Sequence, residues 1–283
     1  MRRVGIEMLP LAQGVPVVRH ELEAGTRGEI VVGKALGVLM NPRDADGGLD
    51  LERMASRLAQ EKLPMLGRVL RLDLHEGLIV ETTLDPAAEP FLRDHAIDGV
   101  PVLPGVMGIE GFAELGRVLL PDYRVAGFDD VRFEAPMKYY RSAPRPGLFR
   151  GLLVREGDDE VSLRVTLCSS RTLQNGQTQE LRHFSGTVRL TRAQAEPRLE
   201  GAAEAREGRP VSAADIYRVF FHGPAYQVLD EVRIHDEGAS GSFRADLPAS
   251  LANSDYSLVF SPRLLELCLQ TAGVYELGST GRM

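Results

Sequence analysis

HAIDGVPVLPGVMGIEGFAELGRVLL, residues 95–120, is the stretch that decides the fold, because it leads from a polar loop directly into an apolar helix. From Val106 onward the apolar residues recur at helical spacing and share one face. Glycines also recur along this stretch, at positions 105, 108, 111 and 116. Since glycine has no side chain, a neighbouring sheet can approach such a helix closely. The pattern predicts a deeply buried central helix.

Strand-like apolar runs lie on both sides of this helix in the sequence. They cover residues 68–74, 78–84, 124–133, 148–156, 160–170 and 179–190. The first two are separated by a short polar turn and predict a hairpin, and the others are bounded by Pro, Gly and Asp. A short helix or an extended linker is predicted at 49–63, ahead of the hairpin. The implied unit is an antiparallel sheet wrapped around one helix.

A second unit repeats this order with fewer elements. Strand-like runs at 227–236 and 240–248 precede an amphipathic helix at 261–278. Many strands follow the first helix, whereas only a few residues follow the second, so we expect the second unit to be incomplete. Residues 191–210 are polar and have the composition of an exposed linker.

These observations divide the chain into four segments. We predict a separate N-terminal segment at 1–45, a first unit at 46–190, a linker at 191–210 and an incomplete second unit at 211–283. Within the N-terminal segment, the apolar run at 29–39 is typical of a strand, and breaker residues follow at 41–48.

Composition excludes several classes of function. The 283 residues include 40 acidic and 33 basic ones, and charges of one sign do not form long runs. Because the sequence has no basic stretch of the kind that binds phosphates, we do not expect the protein to bind nucleic acid. No apolar stretch is long enough to span a membrane, and the N-terminus lacks the pattern of an export signal, which together favour the cytoplasm. Neither the dinucleotide-binding motif G-x-G-x-x-G nor the phosphate-binding loop G-x-x-x-x-G-K-[ST] occurs. Cys168 and Cys268 form no metal or disulfide pattern, and we expect both to be buried.

The loop before the central helix contains residues suited to acid–base chemistry. His95, Gly99 and Pro104 follow the pattern H-x-x-x-G-x-x-x-x-P. A histidine whose pKa is near neutrality can abstract a proton at pH 7. A glycine four residues later can offer an unobstructed backbone N–H to a substrate oxygen on which negative charge develops. The motif predicts a base and an oxyanion donor on one loop.

This motif, the helix after it and the second unit with its matching helix resemble the dehydratase domains of modular polyketide and polyunsaturated-fatty-acid synthases. The resemblance covers roughly residues 50–283 and implies an α+β fold of the double hot-dog type, in which two antiparallel sheets each wrap a central helix. In that family a D-x-x-x-Q/H motif on the second helix supplies an aspartate. The matching stretch here is ELCLQ, which places Glu266 and Gln270 at the two positions.

Two further segments carry the resemblance. YRVFFHGPAYQV is similar to a Tyr-Gly-Pro-x-Phe turn of the family, and it implies substrate-binding roles for the following residues. They are His222, Gly223, Pro224 and Tyr226, with Tyr217 upstream, and the resemblance implies the same role for Gly99 and Pro104. His222 replaces the usual tyrosine, and it either hydrogen-bonds near the site or only packs. Residues 15–37 resemble the closing segment of a ketoreductase domain, which implies that residues 1–45 are the tail of a neighbouring domain.

The resemblance implies dehydration of 3-hydroxyacyl thioesters to 2-enoyl thioesters. His95 would remove the proton next to the thioester carbonyl, and a protonated Glu266, held by Gln270, would donate to the departing hydroxyl. The leucines beside Glu266 in sequence predict a buried carboxyl group with a raised pKa. No metal or nucleotide cofactor is expected, and the substrate would arrive on the phosphopantetheine arm of an acyl carrier protein. The expected partners are that carrier, a ketoreductase and other synthase domains, and homodimer formation is left open.

Three alternatives remain at this point. Product-template cyclases and enoyl isomerases also use a histidine and a carboxylate on the double hot-dog fold. A third alternative is a non-catalytic module, in which the Asp-to-Glu change and the short second unit both reflect lost function. Analysis of reaction products separates the first two from a dehydratase, and loss of turnover with retained carrier binding would favour the third.

Overall fold

The computed structural model describes residues 6–7, 9–25, 30, 32–36, 50–73, 76–155, 160–172, 176–192 and 207–280. The helices are α1 (Leu11–Ala24), α2 (Leu51–Glu61), α3 (Pro90–Arg93), α4 (Gly105–Leu119), α5 (Ala213–Ile216) and α6 (Pro262–Thr280). The strands are β1 (Ile6–Glu7), β2 (Ala35–Leu36), β3 (Arg68–Asp73), β4 (Gly77–Leu84), β5 (Ala96–Ile97), β6 (Val100–Pro101), β7 (Arg124–Phe133), β8 (Arg145–Arg155), β9 (Glu160–Thr172), β10 (Thr178–Thr191), β11 (Arg209–Ser212), β12 (Leu229–His235) and β13 (Gly238–Phe243).

The first unit is a six-stranded antiparallel sheet packed around α4. The strand order is β3-β4-β8-β9-β10-β7, and β3 pairs with β4 as the predicted hairpin. Strands β7 to β10 all contact α4. The predicted strands and central helix of this unit are confirmed, and within the stretch predicted at 49–63 the structure has helix α2 at Leu51–Glu61 rather than an extended linker.

The glycines of α4 allow aromatic rings of the sheet to touch the helix. A side chain at Gly108 would lie 2.2 Å from the ring of Phe184, and one at Gly111 would lie 2.4 Å from the ring of Phe149. Phe112 also meets Phe149 edge to face, with ring centres 6.1 Å apart. Each fully buried aromatic or leucine side chain stabilises the fold by roughly 1.5–3 kcal/mol. The predicted close approach of sheet and helix is therefore confirmed.

Two buried glutamates on α4 hold other segments against the helix. Glu114 accepts hydrogen bonds from the backbone N–H of Met65, with N–O distances of 3.2 and 3.1 Å. Glu110 accepts from the N–H groups of Val259 (2.6 Å) and Phe260 (3.3 Å), in the segment that leads into α6. Burial raises the pKa of Glu110 to about 7 and that of Glu114 well above its ordinary value. The first unit thus fixes the start of the second helix.

The second unit is a three-stranded antiparallel sheet, in the order β11-β12-β13, packed against α6. A small apolar cluster of Ile216, Leu229, Val232 and Val274 joins α5 and the sheet to α6, which also packs on α4. Strand β11 begins at Arg209, so the last two residues of the predicted linker belong to the sheet. Both units have the predicted layout of a sheet against a central helix.

Three further expectations concern the two cysteines, the strand-like run at 29–39 and the length of apolar helices. Cys168 is buried, but Cys268 is exposed, because it lies two residues after Glu266 on α6 and so faces away from the buried side of the helix. In the run at 29–39 the described residues form strand only at Ala35–Leu36, and residues 41–48 lie outside the described ranges. No helix in the described part of the chain has the length and apolarity needed to cross a membrane.

Candidate active site

His95 follows α3 on a loop that a small hairpin closes. Strands β5 and β6 pair across Asp98 and Gly99, which have φ angles of 51° and 74°. Gly99 suits this turn because a residue without a side chain adopts positive φ at little cost. Val102 N donates to the carbonyl oxygen of His95 at 2.9 Å, and His95 Nδ1 lies 2.8 Å from the carbonyl oxygen of Val102. The loop therefore holds both the backbone and the ring of His95.

The hydrogen bond at Nδ1 determines which ring nitrogen of His95 is free. A carbonyl oxygen only accepts, so Nδ1 carries the hydrogen and donates it, and Nε2 keeps its lone pair. Burial lowers the pKa of His95, and the nearby His222 lowers it further. The ring is consequently neutral at pH 7 with a free Nε2, which is the state that a general base requires.

Glu266 and Gln270 lie one turn apart on α6, and both side chains are buried. The amide nitrogen of Gln270 donates to Glu266 Oε1 at 2.9 Å and to the carbonyl oxygen of Tyr226 at 2.9 Å. The amide oxygen of Gln270 accepts from the hydroxyl of Tyr217 at 2.9 Å. Every polar atom of this amide is engaged, so Gln270 is held rigidly and orients the carboxyl group as the sequence predicts.

His222 lies next to both His95 and the carboxyl group of Glu266. Its Nε2 lies 3.1 Å from Glu266 Oε1, and the two side chains are only 9% and 8% exposed. The ring centre of His222 is 5.4 Å from that of His95, and the backbones of the two histidines form an isolated β-bridge. The His222 ring also stacks on Phe221, with centres 4.3 Å apart. Of the two interpretations left open, His222 does both: it packs, and it contacts the predicted acid.

The expected raised pKa of Glu266 is wrong. Burial acts to raise it, but hydrogen bonds from His222 and Gln270 and the electrostatic influence of His222 and His95 outweigh burial and lower it. The leucines next to Glu266 in sequence do not provide an apolar shell either, since Leu264 and Leu269 are 55% and 48% exposed. Glu266 is therefore ionised at neutral pH, and the predicted protonated carboxyl group is not its resting state.

The predicted turn at 222–226 joins the two units next to His95. Gly223 N donates to the carbonyl oxygen of Asp94 at 2.7 Å, and Ala225 N donates to Asp94 Oδ2 at 2.8 Å. A side chain at Gly223 would lie 2.9 Å from Asp94, so glycine is required by this contact. Asp94 was missed in the sequence, although it directly precedes the motif histidine, because its partners lie far along the chain.

The remaining predicted residues have different surroundings. Tyr226 is fully buried, its ring centre lies 6.1 Å from that of His95, and its hydroxyl has no hydrogen-bond partner within the described ranges. Pro104 directly precedes α4, where its carbonyl oxygen accepts from the helix. Gly99 and Pro224 are exposed. The structure thus brings His95, His222, Tyr226, Glu266 and Gln270 together, and the substrate-binding roles of Gly99, Pro104, Gly223 and Pro224 stay predictions.

A histidine from the first unit and a carboxylate from the second lie close together where two sheet-wrapped helices pack, which is the arrangement of the double hot-dog class. Comparison with protein families assigns the chain within that class. It belongs to the polyketide synthase dehydratase family: a model described as polyketide synthase dehydratase domain matches residues 64–146, and one described as polyketide synthase dehydratase N-terminal domain matches residues 195–281. Dehydratase domains of polyketide synthases are hydro-lyases that act on 3-hydroxyacyl thioesters and generally need no cofactor.

Individual relatives agree with this assignment. The chain is 27% identical over 195 residues to the polyketide synthase GfsE of Streptomyces halstedii, an alignment covering 67% of the chain and 5% of that protein. It therefore spans about a twentieth of the length of this relative. A trans-AT polyketide synthase dehydratase domain from Brevibacillus brevis has a TM-score of 0.58 at 20% identity, covering 74% of this chain and 77% of that one. The dehydratase domain from the CurJ module of curacin polyketide synthase has a TM-score of 0.58 at 18% identity, covering 78% and 75%.

Proposed function

We propose that the chain removes water from 3-hydroxyacyl thioesters to give 2-enoyl thioesters. The observation that carries this proposal is the pairing of a neutral His95, whose Nε2 lone pair is free, with a buried carboxylate from the other unit. Elimination of water needs a base at one carbon and an acid at the next, and these groups come from opposite sides of the joint between the units.

The reaction begins at the carbon next to the thioester carbonyl. The carbonyl acidifies this carbon, and His95 Nε2 takes its proton while the bond from the neighbouring carbon to the hydroxyl oxygen breaks. The departing oxygen needs a proton, which comes from the side of the site formed by Glu266, His222 and Gln270. The backbone N–H of Gly99 is the proposed donor to the thioester oxygen.

The relatives suggest how the substrate arrives. They are parts of multidomain polyketide and fatty-acid synthases, so we place the chain among synthase domains such as a ketoreductase. In this setting an acyl carrier protein presents the substrate on its phosphopantetheine arm. Binding to a carrier loaded with a 3-hydroxyacyl group, compared with the unloaded carrier, tests this part separately from turnover.

The test of function uses a 3-hydroxybutyryl N-acetylcysteamine thioester, with the enoyl product detected by its ultraviolet absorbance and identified by mass spectrometry. Wild-type protein should form the 2-enoyl thioester, and His95→Gln should lose on the order of a thousandfold or more in rate because it removes the base. Thermal melting of His95→Gln should match that of wild type. A cyclised or double-bond-shifted product, or no product at all from wild-type protein, would contradict the dehydratase proposal.

A further inference from the structure

The state of Glu266 leaves open which group protonates the departing hydroxyl. A carboxylate whose pKa is lowered carries no proton at neutral pH, yet water leaves readily only when its oxygen is protonated. Gln270 and His222 both contact that carboxylate, and the titratable one of the two is His222, whose Nε2 lies 3.1 Å from Oε1. Imidazole can hold a proton near neutral pH, which an ionised carboxyl group with a lowered pKa does not.

The other ring nitrogen of His222, Nδ1, gives independent evidence for a ligand contact. Nδ1 is buried and has no hydrogen-bond partner among the described residues. Buried polar atoms are nearly always hydrogen-bonded in folded proteins, so an orphaned one inside a reactive cluster indicates a partner that arrives with the substrate. With Nε2 held by Glu266, Nδ1 is the position of this ring that remains for a substrate oxygen.

We propose that His222 is the proton donor of the proposed dehydration, giving the Nδ1 proton to the departing hydroxyl while Glu266 holds the ring through Nε2. This assignment rests on the dehydratase function and names a donor for its acid step. Glu266 then acts through His222 and is a positioning residue, as is Gln270, which holds the same carboxyl oxygen.

The step balances in atoms and charge. At the start His222 carries hydrogen on both nitrogens and Glu266 is ionised, so the buried pair is neutral overall, which burial favours. His95 takes the proton from carbon 2, the electrons of that bond form the double bond, and the bond from carbon 3 to oxygen breaks. The oxygen leaves with its electron pair and takes the Nδ1 proton, which completes a water molecule.

The site is reset by moving one proton. After the reaction His95 is protonated and His222 is neutral, with its remaining hydrogen donated from Nε2 to Glu266. The two rings are 5.4 Å apart between centres, so the surplus proton of His95 lies close to the group that lacks one. A full cycle consumes no proton from solvent.

The titratable groups that face this pair come from several elements. They are His95, Tyr217 and Tyr226, with Arg244 facing Tyr217 and with Arg263 and Glu110 facing Tyr226. Burial raises the pKa of Tyr217 to about 12 and that of Tyr226 well above its ordinary value, so neither titrates near pH 7. Glu110, with a pKa of about 7, does titrate there and needs a control.

The test compares two leaving groups. Hydroxide needs a proton as it leaves, whereas the chloride of a 3-chlorobutyryl thioester needs none. His222→Gln should therefore lose at least about a hundredfold in rate on the 3-hydroxy substrate, the usual contribution of a general acid, and lose far less on the 3-chloro substrate. His95→Gln is the matched control and should lose rate on both substrates, because both need the base.

Two outcomes would overturn the donor role of His222. One is equal loss on both substrates, which indicates a structural role, and the other is unchanged turnover of the 3-hydroxy substrate. Wild-type protein that turns over neither substrate would instead contradict the proposed function itself. A melting temperature of His222→Gln close to that of wild type shows that the comparison is made on folded protein.

A pH profile separates His222 from Glu266 as the donor. If His222 donates, Glu266→Gln should keep the alkaline fall in rate but move it to lower pH, because the imidazolium loses the negative charge beside it. If Glu266 donates, that fall should vanish in Glu266→Gln, and the proposal is wrong. Glu110→Gln should leave the position of the fall where wild-type protein has it.

Discussion

The two central helices each carry a buried glutamate one turn before a second buried polar residue, yet the two glutamates do different work. On α4, Glu110 accepts from backbone N–H groups, and burial raises its pKa to about 7. On α6, Glu266 is hydrogen-bonded to His222 and Gln270, and its pKa is lowered despite burial. The identity of the donors, more than the degree of burial, separates the pKa of a carboxyl group that holds the fold from that of the carboxyl group in the candidate site.

The two helices also differ in how completely strands cover them. Strands β7 to β10 contact α4, and nearly all of its residues are buried. The smaller sheet contacts α6 through β12 and β13, and Leu264 and Leu269 of this helix remain about half exposed. The fully packed helix provides the scaffold, and the partly covered helix carries Glu266 and Gln270 of the candidate site at its contact with the first unit.

Exchanging the two glutamates for glutamine gives the largest expected contrast. Glu266→Gln should lose at least about a hundredfold in dehydration rate at pH 7, because it removes the charge that holds His222. Glu110→Gln should show no comparable loss, and Glu266→Asp, which keeps the charge, should retain more activity than Glu266→Gln. Turnover of the 3-hydroxybutyryl thioester measures all three, and equal rates in Glu266→Gln and Glu110→Gln would remove the contrast between the helices.

The pH dependence of stability tests the raised pKa on α4. Between pH 4.5 and about 7 the folded state keeps a proton on Glu110 that the unfolded state has lost. This stabilisation, on the order of 2–3 kcal/mol, is therefore fully present below pH 4.5 and is lost as pH rises through 7. Urea unfolding of wild-type protein and Glu110→Gln at pH 5 and pH 8 measures it.

In that measurement Glu110→Gln should lose less stability than wild type on going from pH 5 to pH 8. Glu134→Gln is the control: hydrogen bonds from Ser185 and Arg182 lower the folded-state pKa of Glu134, so its contribution is lost only as pH falls below about 4.5, outside the measured interval. An unchanged pH dependence in Glu110→Gln would show that this carboxyl group is not held protonated by the fold.

Replacing one glycine of each central helix by alanine gives the smallest expected difference between the two helices. At Gly111 of α4 an added carbon would meet the ring of Phe149 at 2.4 Å, whereas at Gly273 of α6 the nearest atom, in Phe220, lies at 3.2 Å. Gly111→Ala should lower the free energy of unfolding by about 1–3 kcal/mol through overpacking. For Gly273→Ala the gain in helix propensity offsets the tight contact, and the change should be near zero. Equal losses at both positions would mean that α6 is packed as tightly as α4.

Much of the fold was predictable because its signals are local. The spacing of apolar residues and glycines in α4 and the strand pattern of β7, predicted at 124–133 and found at Arg124–Phe133, depend on residues close in sequence. The start of β11 at Arg209 was not predictable, because its polar sequence RPVS becomes a strand only by pairing with β12. The exposure of Cys268 depends on which face of α6 is buried, and contacts with β12, β13 and α4 set that face, which the sequence of the helix alone does not show.

The site was predictable in its members and not in its electrostatics. His95, Glu266 and Gln270 followed from the motifs, and the contact between the last two followed from helical spacing. The charge state of Glu266 depends on His222, which is 44 positions away in sequence, and composition near Glu266 indicated the opposite direction. Asp94 joins the site only through its contacts with Gly223 and Ala225, and an acidic residue beside a motif histidine was the available signal.

The hydrogen bonds from Gly223 and Ala225 to Asp94 have a consequence for anyone who recombines such domains. The base follows Asp94 in the chain, and its partner histidine precedes Gly223, so the register between the two histidines is set by a contact that belongs to neither unit alone. In a chimera that takes one unit from a relative, residues 94–95 and 222–225 have to come from the same parent. A crossover that separates them would leave both units folded and their reactive groups out of alignment.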